Sequence, residues 1–139
     1  MLALIDTNIL FYALDKKEGY KHDIASDIVK TAFMEGAYIS AQNLAELYHS
    51  AKIKFNKDQL EATQKLALAI LKSEKWTKIS YDEHTVWNAV RKDEPQHDFW
   101  DLMIYFTMLE NGITTIVSEN EADFKNLDGI VVQNPFKTR

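Results

Sequence analysis

In Leu2-Ala3-Leu4-Ile5-Asp6-Thr7-Asn8, four apolar residues in a row run straight into three polar ones of the kind that begin helices. The apolar run has no helical period and is short, as expected of a strand covered on both faces. A covered strand that passes directly into a helix is the first unit of a parallel sheet with helices packed on it.

The rest of the chain repeats this alternation. Residues 9–14 complete the first helix, and between 20 and 35 the apolar positions Ile24, Ile28, Val29, Ala32 and Phe33 recur at helical spacing before Gly36 stops them. Residues 37–39 read as a second strand. Ser40 caps a helix over 41–53, and Asn56 with Gln59 three positions on marks the start of another over 58–72. Residues 76–79 form a third strand, followed by a helix capped by Asp82 that breaks at Lys92-Asp93-Glu94-Pro95. A helix over 98–111 stops at Gly112, the β-branched 114–117 is a fourth strand, and 130–132 is a fifth before Asn134-Pro135. The expectation is a three-layer α/β/α sandwich around a mainly parallel sheet of four to five strands. No repeat, low-complexity tract or linker divides it, so residues 1–139 read as a single domain.

Composition narrows the function. The chain has no cysteine, which excludes a thiolate metal site, a cysteine nucleophile and a disulfide framework, and fits a cytoplasmic setting. The apolar run Met1 to Ile5 is too short for a signal-peptide core, and no stretch approaches the ~20 apolar residues of a membrane span, so no membrane partner is expected. A formal charge of -5 disfavours a nucleic-acid coat protein, unless the acids are gathered where bound cations neutralise them. Only two of the 16 basic residues, Arg91 and Arg139, are arginines, so sequence-specific reading of a duplex is disfavoured.

Four acids stand out. Asp6 lies just past the carboxyl end of the first strand, where open parallel sheets bind ligands, although aspartate there also serves as a helix cap. Glu46 sits at least a turn inside a helix among mostly apolar neighbours, too deep for capping; an outward-facing surface glutamate is the alternative. Asp101 is embedded in Phe99-Trp100-Asp101-Leu102-Met103-Ile104, where an unpartnered carboxylate is costly and a cation would relieve it; the alternative is a dipole partner behind an Asp98 cap. Beyond the fourth strand, Ser118-Glu119-Asn120-Glu121-Ala122-Asp123 offers three acids, of which Asp123 is the first choice and Glu119 and Glu121 remain open. These acids can converge on one edge of the sheet. Such a cluster suits Mg2+ or Mn2+, which take oxygen ligands and leave positions for water and phosphate.

The motifs Leu4-Ile5-Asp6-Thr7-Asn8, Asn43-Leu44-Ala45-Glu46-Leu47, Asp101-Leu102-Met103-Ile104 leading to Gly112, and Ile116-Val117-Ser118 through Asp123-Phe124 resemble, in order, those of the PIN domain. The resemblance extends to the closing Val131-Val132-Gln133-Asn134-Pro135-Phe136. It implies a homodimer and a Mg2+- or Mn2+-dependent endoribonuclease acting on single-stranded RNA, often the toxin of a VapBC-type toxin–antitoxin pair. Asp6, Glu46 and Asp101 fall on the three constant acids of that family and Asp123 on a more variable fourth. Asn8 and Ser118 fall on supporting polar positions, Ser118 replacing the usual threonine while keeping its hydroxyl, and Asn120 stands beside them. A catalytically silent PIN-fold binding module and an RNA-processing nuclease without an antitoxin are the alternatives.

Rival constellations are weaker. Glu46-Leu47-Tyr48-His49 and Glu94-Pro95-Gln96-His97 share the Glu-x-x-His spacing of di-iron bundles, but the second contains a proline and the strands contradict a bundle. The isolated glycines form neither a P-loop nor a dinucleotide fingerprint, and there is no Gly-x-Ser-x-Gly elbow. Lys52, Lys54 and Lys57 around Phe55 read first as a solvated helix end, with strand binding by charge and stacking as the functional alternative.

Overall fold

The computed structural model describes residues 2–137, so Met1 and Arg139 lie outside the described residues. Strand β1 (Leu4–Ile5) passes through Asp6 into α1 (Thr7–Leu14), and a short 3-10 turn leads to α2 (Tyr20–Glu35). There follow β2 (Ala37–Ser40), α3 (Ala41–Lys54), α4 (Lys57–Lys72), β3 (Trp76–Ile79), α5 (Glu83–Lys92) and α6 (Phe99–Glu110). Then come β4 (Thr115–Val117), a 3-10 turn over Glu121–Phe124, and β5 (Val131–Gln133). The expected elements are all present. Their ends move by one or two residues: α1 begins at Thr7 because Asp6 itself is the cap, and β5 is displaced to Val131–Gln133 by its register on β4. Pairing of β1 continues to Ala3, whose carbonyl accepts from Tyr38 N at 2.9 Å, which is why the apolar signal is longer than the assigned strand.

The five strands lie in the order β3-β2-β1-β4-β5, and every neighbouring pair is parallel. Side chains alternate across the sheet and thereby sort the core into two halves. Ile5, Ala37, Ile39, Trp76 and Val117 face one side and pack with Ile9, Leu10, Val29, Leu44, Leu47 and Ile70 of α1 to α4. Leu4, Ile79 and Ile116 face the other and meet Ala89 of α5 and Leu102, Met103 and Met108 of α6. The result is the α/β/α sandwich. Helix α6 is apolar nearly all round, as a helix with most of its surface covered must be. Gly36, between α2 and β2, has φ +106°, and a Cβ there would meet the Lys75 carbonyl at 3.3 Å, so the sharp entry into β2 requires glycine. Among the described residues, no helix is long and apolar enough to cross a membrane.

Strand β1 is central, with β2 on one side and β4 on the other. The chain first builds outward through β2 to β3, then crosses back to start the other half with β4. The crevice beyond β1 is therefore the topological switch point, where connections leave in opposite directions and a ligand can enter. Asp6 stands at that point.

Candidate active site

Asp6 is locked by donors from three parts of the chain. Its Oδ1 accepts from Thr7 N at 2.8 Å and from Asn43 Nδ2 at 3.2 Å, and its Oδ2 from Ser118 Oγ at 2.6 Å and Asn8 Nδ2 at 3.4 Å. Capping of α1 is thus real and uses one oxygen, while the other turns toward the end of β4. Burial pushes the carboxyl above its ordinary value and Asp123 adds to this, against the lowering effect of the Ser118, Thr7 and Asn43 donors. Asn8 ties the same strand ends together, donating to Ser118 Oγ at 3.2 Å and accepting from Glu119 N. Asn120 contributes its backbone N–H to Ser118 Oγ at 3.0 Å.

Glu46 approaches from α3. Its Oε1 accepts from Thr7 Oγ1 at 3.3 Å and its Oε2 from Gln42 Nε2 at 3.5 Å. The Gln42 amide also donates to the Trp100 carbonyl at 3.1 Å, binding α3 to the first turn of α6. Burial raises the Glu46 carboxyl, and the charges of Asp6 and Asp98 add to it. Beneath it Asn43 is completely buried, paired with Ser40 and reaching both Asp6 and Thr7.

Asp101 occupies the first turn of α6 behind its cap, Asp98, whose Oδ1 accepts from Trp100 N at 2.9 Å. Asp98 caps the helix, and Asp101 lines a cleft. No hydrogen-bond donor meets the Asp101 carboxylate among the described residues. Its pKa is pushed up to about 7, first by burial and then by the charges of Asp123, Asp98, Asp6 and Glu46. Asp123 lies on the 3-10 turn, also raised, by burial and by Asp98.

The other two acids after β4 are committed elsewhere. Glu119 accepts from Tyr12 Oη and from the Lys21 ammonium. Burial pushes it up, but those two donors outweigh burial and hold it below the usual carboxylate range. Glu121 pairs with Lys137 at 3.3 Å.

Asp6, Glu46 and Asp101 line one cleft of about 580 Å³, together with Thr7, Asn8 and Asn120. Asp123 is not in that cleft; it lines an adjoining one that shares Asp101. None of these four carboxylates is in an ion pair among the described residues. The donors they offer are hard oxygens, the chemistry Mg2+ and Mn2+ select. Among the described residues, no group of three or more His, Asp or Glu side chains is gathered closely enough to hold a metal ion as it stands.

Asn43, Gln42 and Thr7 hydrogen-bond to these acids and were not singled out as site residues from the sequence, where Asp98 was read only as a cap. The available signal for Asn43 was its place three residues past the Ser40 cap, within reach of both cap and strand end. Lys54, grouped with Lys52 and Lys57 around Phe55, stands over the Phe11 ring at 5.5 Å and lines the same cleft as the acids. His49 lines it as well, whereas Glu94 and Pro95 fall in the connection between α5 and α6.

Comparison with known proteins agrees with this architecture. The family model for the PIN domain matches residues 3–130. No curated protein matches the sequence. Among solved structures, VapBC2 from Rickettsia felis bound to a DNA fragment from its promoter is similar at 20% identity, with a TM-score of 0.66 over 96% of this chain and 98% of that one. A toxin–antitoxin complex from Klebsiella pneumoniae is similar at 23% identity and a TM-score of 0.65, covering 98% and 99%. VapC20 from Mycobacterium tuberculosis, a sarcin–ricin loop cleaving toxin, is similar at 18% identity and a TM-score of 0.63, covering 82% and 86%.

Proposed function

Since the chain belongs to the PIN domain family, we propose that it is a cytoplasmic endoribonuclease dependent on Mg2+ or Mn2+, with single-stranded RNA as substrate. The observation that carries this reading is the convergence of Asp6, Glu46 and Asp101 in one cleft at the switch point of the sheet, none of the three in an ion pair among the described residues and all three with raised proton affinity. Carboxylates held that way are poised for a cation. Asp6, Glu46 and Asp101 would hold the ion, with Asp123 reaching it from the neighbouring cleft. Glu119 and Glu121, already paired, are poorer candidates for the fourth position. When bound, the ion supplies Lewis-acid polarisation of a phosphodiester and a lowered pKa for the attacking water.

The chain's own part is orientation. Ser118, Asn8 and Asn43 fix both oxygens of Asp6, and Gln42 and Thr7 fix those of Glu46, so the acids need little rearrangement on loading. Lys54, which lines the same cleft, would meet the RNA backbone. Toxin–antitoxin complexes among the similar structures support a toxin role with an antitoxin protein as partner, and a homodimeric assembly goes with that reading.

The test is cleavage of single-stranded RNA with Mn2+ by purified protein. Asp6→Asn should lower the rate by more than roughly 100-fold, beyond what loss of an outer-shell partner alone produces. Equal cleavage by the variant would remove Asp6 from the centre. Absence of Mg2+ and Mn2+ binding in calorimetric titration would reduce the protein to a binding module.

A further inference from the structure

Beyond the acids, the main cleft continues between α1 and α3. Thr7 and Phe11 are one helical turn apart on α1, and Glu46, Ser50 and Lys54 follow one another at the same spacing on α3, so each helix gives the cleft one face. The Thr7 hydroxyl, donating to Glu46 at 3.3 Å, joins the two rows at the acid end. One turn further, ~6 Å along α1, Phe11 forms the wall, and the Lys54 ammonium stands 5.5 Å from its ring centroid. An ion with six ligand positions, at ~30 Å³ for each water-sized ligand, fills roughly 200 Å³, well under half of the cleft. The space left over reaches Phe11.

Phe11 is a supported wall. Its ring stacks on Phe55 with centroids 4.3 Å and planes 21° apart, and Phe55 does not line the cleft. The stack therefore backs Phe11 from outside, while Phe11 itself remains half-buried at the cleft surface. The neighbouring Tyr12 is already engaged, since its hydroxyl donates to Glu119 and its ring meets Phe136 edge-on at 5.3 Å. Lys54 is exposed and in no ion pair among the described residues. In the sequence Phe55 was the ring among the lysines; the fold places it behind Phe11 and gives Phe11 the open position. A backed aromatic ring with a cation beside it is a pairing that holds single-stranded nucleic acid, because every base has a face that can stack.

We propose that Phe11 is the stacking platform for an unpaired base of the nucleotide next to the phosphate at Asp6, Glu46 and Asp101. The inference rests on the nuclease reading and specifies how the substrate lies: the strand leaves the acids along the groove between α1 and α3. It also gives a reason for single-strand preference, since a base inside a duplex has both faces covered by its neighbours. Stacking is tolerant of base identity, in keeping with a chain that has only two arginines for reading base edges.

The experiment is equilibrium binding, by anisotropy, of two fluorescein-labelled RNA strands of equal length. One is oligoadenylate and the other an abasic counterpart that keeps every phosphate, with Ca2+ replacing Mg2+ and strand integrity checked on gels. One stacked base is worth roughly 5- to 150-fold in affinity, so wild type should prefer oligoadenylate by at least about fivefold. Phe11→Leu, which keeps an apolar side chain against Phe55, should bind the abasic strand as wild type does and lose most of the preference. Phe11→Trp should keep the preference, and oligoadenylate but not the abasic strand should quench the added indole emission. Lys54→Ala should weaken both strands alike and lower the slope of log K against log salt by about 0.7. Equal binding of the two strands by wild type, a preference that survives in Phe11→Leu, or an unquenched indole in Phe11→Trp overturns the platform, and continued RNA cleavage then leaves the nuclease reading intact. Failure of the wild-type protein to bind or cleave RNA at all overturns both.

Discussion

Replacing Asp101 with asparagine should make the metal-free protein more stable while removing its activity. The carboxyl has an ordinary value of 3.8 and is raised to about 7 in the folded chain, mainly by burial and then by Asp123, Asp98, Asp6 and Glu46. The folded state thus holds a proton that the unfolded state releases. Stability is fully present below pH 3.8, declines as pH rises through about 7, and is flat above that. Each pH unit between the two values is worth about 1.4 kcal/mol, so the full interval gives about 4 kcal/mol, which solvent screening at a half-buried carboxylate reduces to about 2 kcal/mol. Asparagine resembles the neutral acid and escapes this loss. In EDTA at pH 8, Asp101→Asn should melt about 6 °C above wild type by calorimetry, with roughly a third of that difference at pH 5. Mn2+ at a hundred times its Kd should stabilise wild type by about 2.7 kcal/mol and the variant much less, reversing their order. A variant that melts at or below wild type without metal at pH 8 would refute the reasoning, because it would mean that the folded chain does not disfavour the charged form of Asp101.

Ser118→Ala removes a 2.6 Å donor from a buried carboxylate and should cost about 2 kcal/mol in urea unfolding. It should also weaken Mn2+ binding by roughly 10- to 100-fold in calorimetry, as loss of an orienting partner does. At limiting Mn2+, kcat/KM for RNA cleavage should rise through pH about 7 as Asp101 loses its proton, and the midpoint should move to lower pH as Mn2+ is raised; a profile indifferent to Mn2+ would count against Asp101 as a ligand. Asp123→Asn should impair Mn2+ binding and cleavage while Glu119→Gln leaves both intact, and the opposite ranking would make Glu119 the fourth acid. Leu47→Ala, at a completely buried position on α3, should lower stability by about 3 kcal/mol in the same urea assay.

The middle of the sheet could be read from the sequence because β1 and β2 are largely covered on both faces, so that 2–5 and 37–39 appear as unbroken apolar runs, while 114–117 showed as a β-branched stretch between well-capped helices. The caps at Asp6, Ser40, Asn56, Asp82 and Asp98 all carry the side-chain bonds expected of them. Strand order could not be read this way, because nothing local tells β4 to return beside β1. The three acids of the main cleft were visible as carboxylates in apolar company. Their support was not: Gln42 reaches Glu46 along its own helix but Trp100 only across the fold, and Asn43 meets Asp6 from another element. The fourth position was open in sequence because Glu119, Glu121 and Asp123 differ only in their partners. Lys21 and Tyr12, about a hundred positions away, and Lys137 take up the first two.

Asp6 and Ser118, in contact across the switch point, are 112 positions apart in the chain. A ribosome therefore releases the first acid of the centre long before its anchor, and β1 has only one neighbour until β4 emerges. A fragment left by translation stalled ahead of α6 carries Asp6 and Glu46 but neither Asp101 nor the hydroxyl that aligns Asp6. On the proposed nuclease reading, this order of assembly keeps a nascent product that still lacks α6 and β4 inert beside its own messenger.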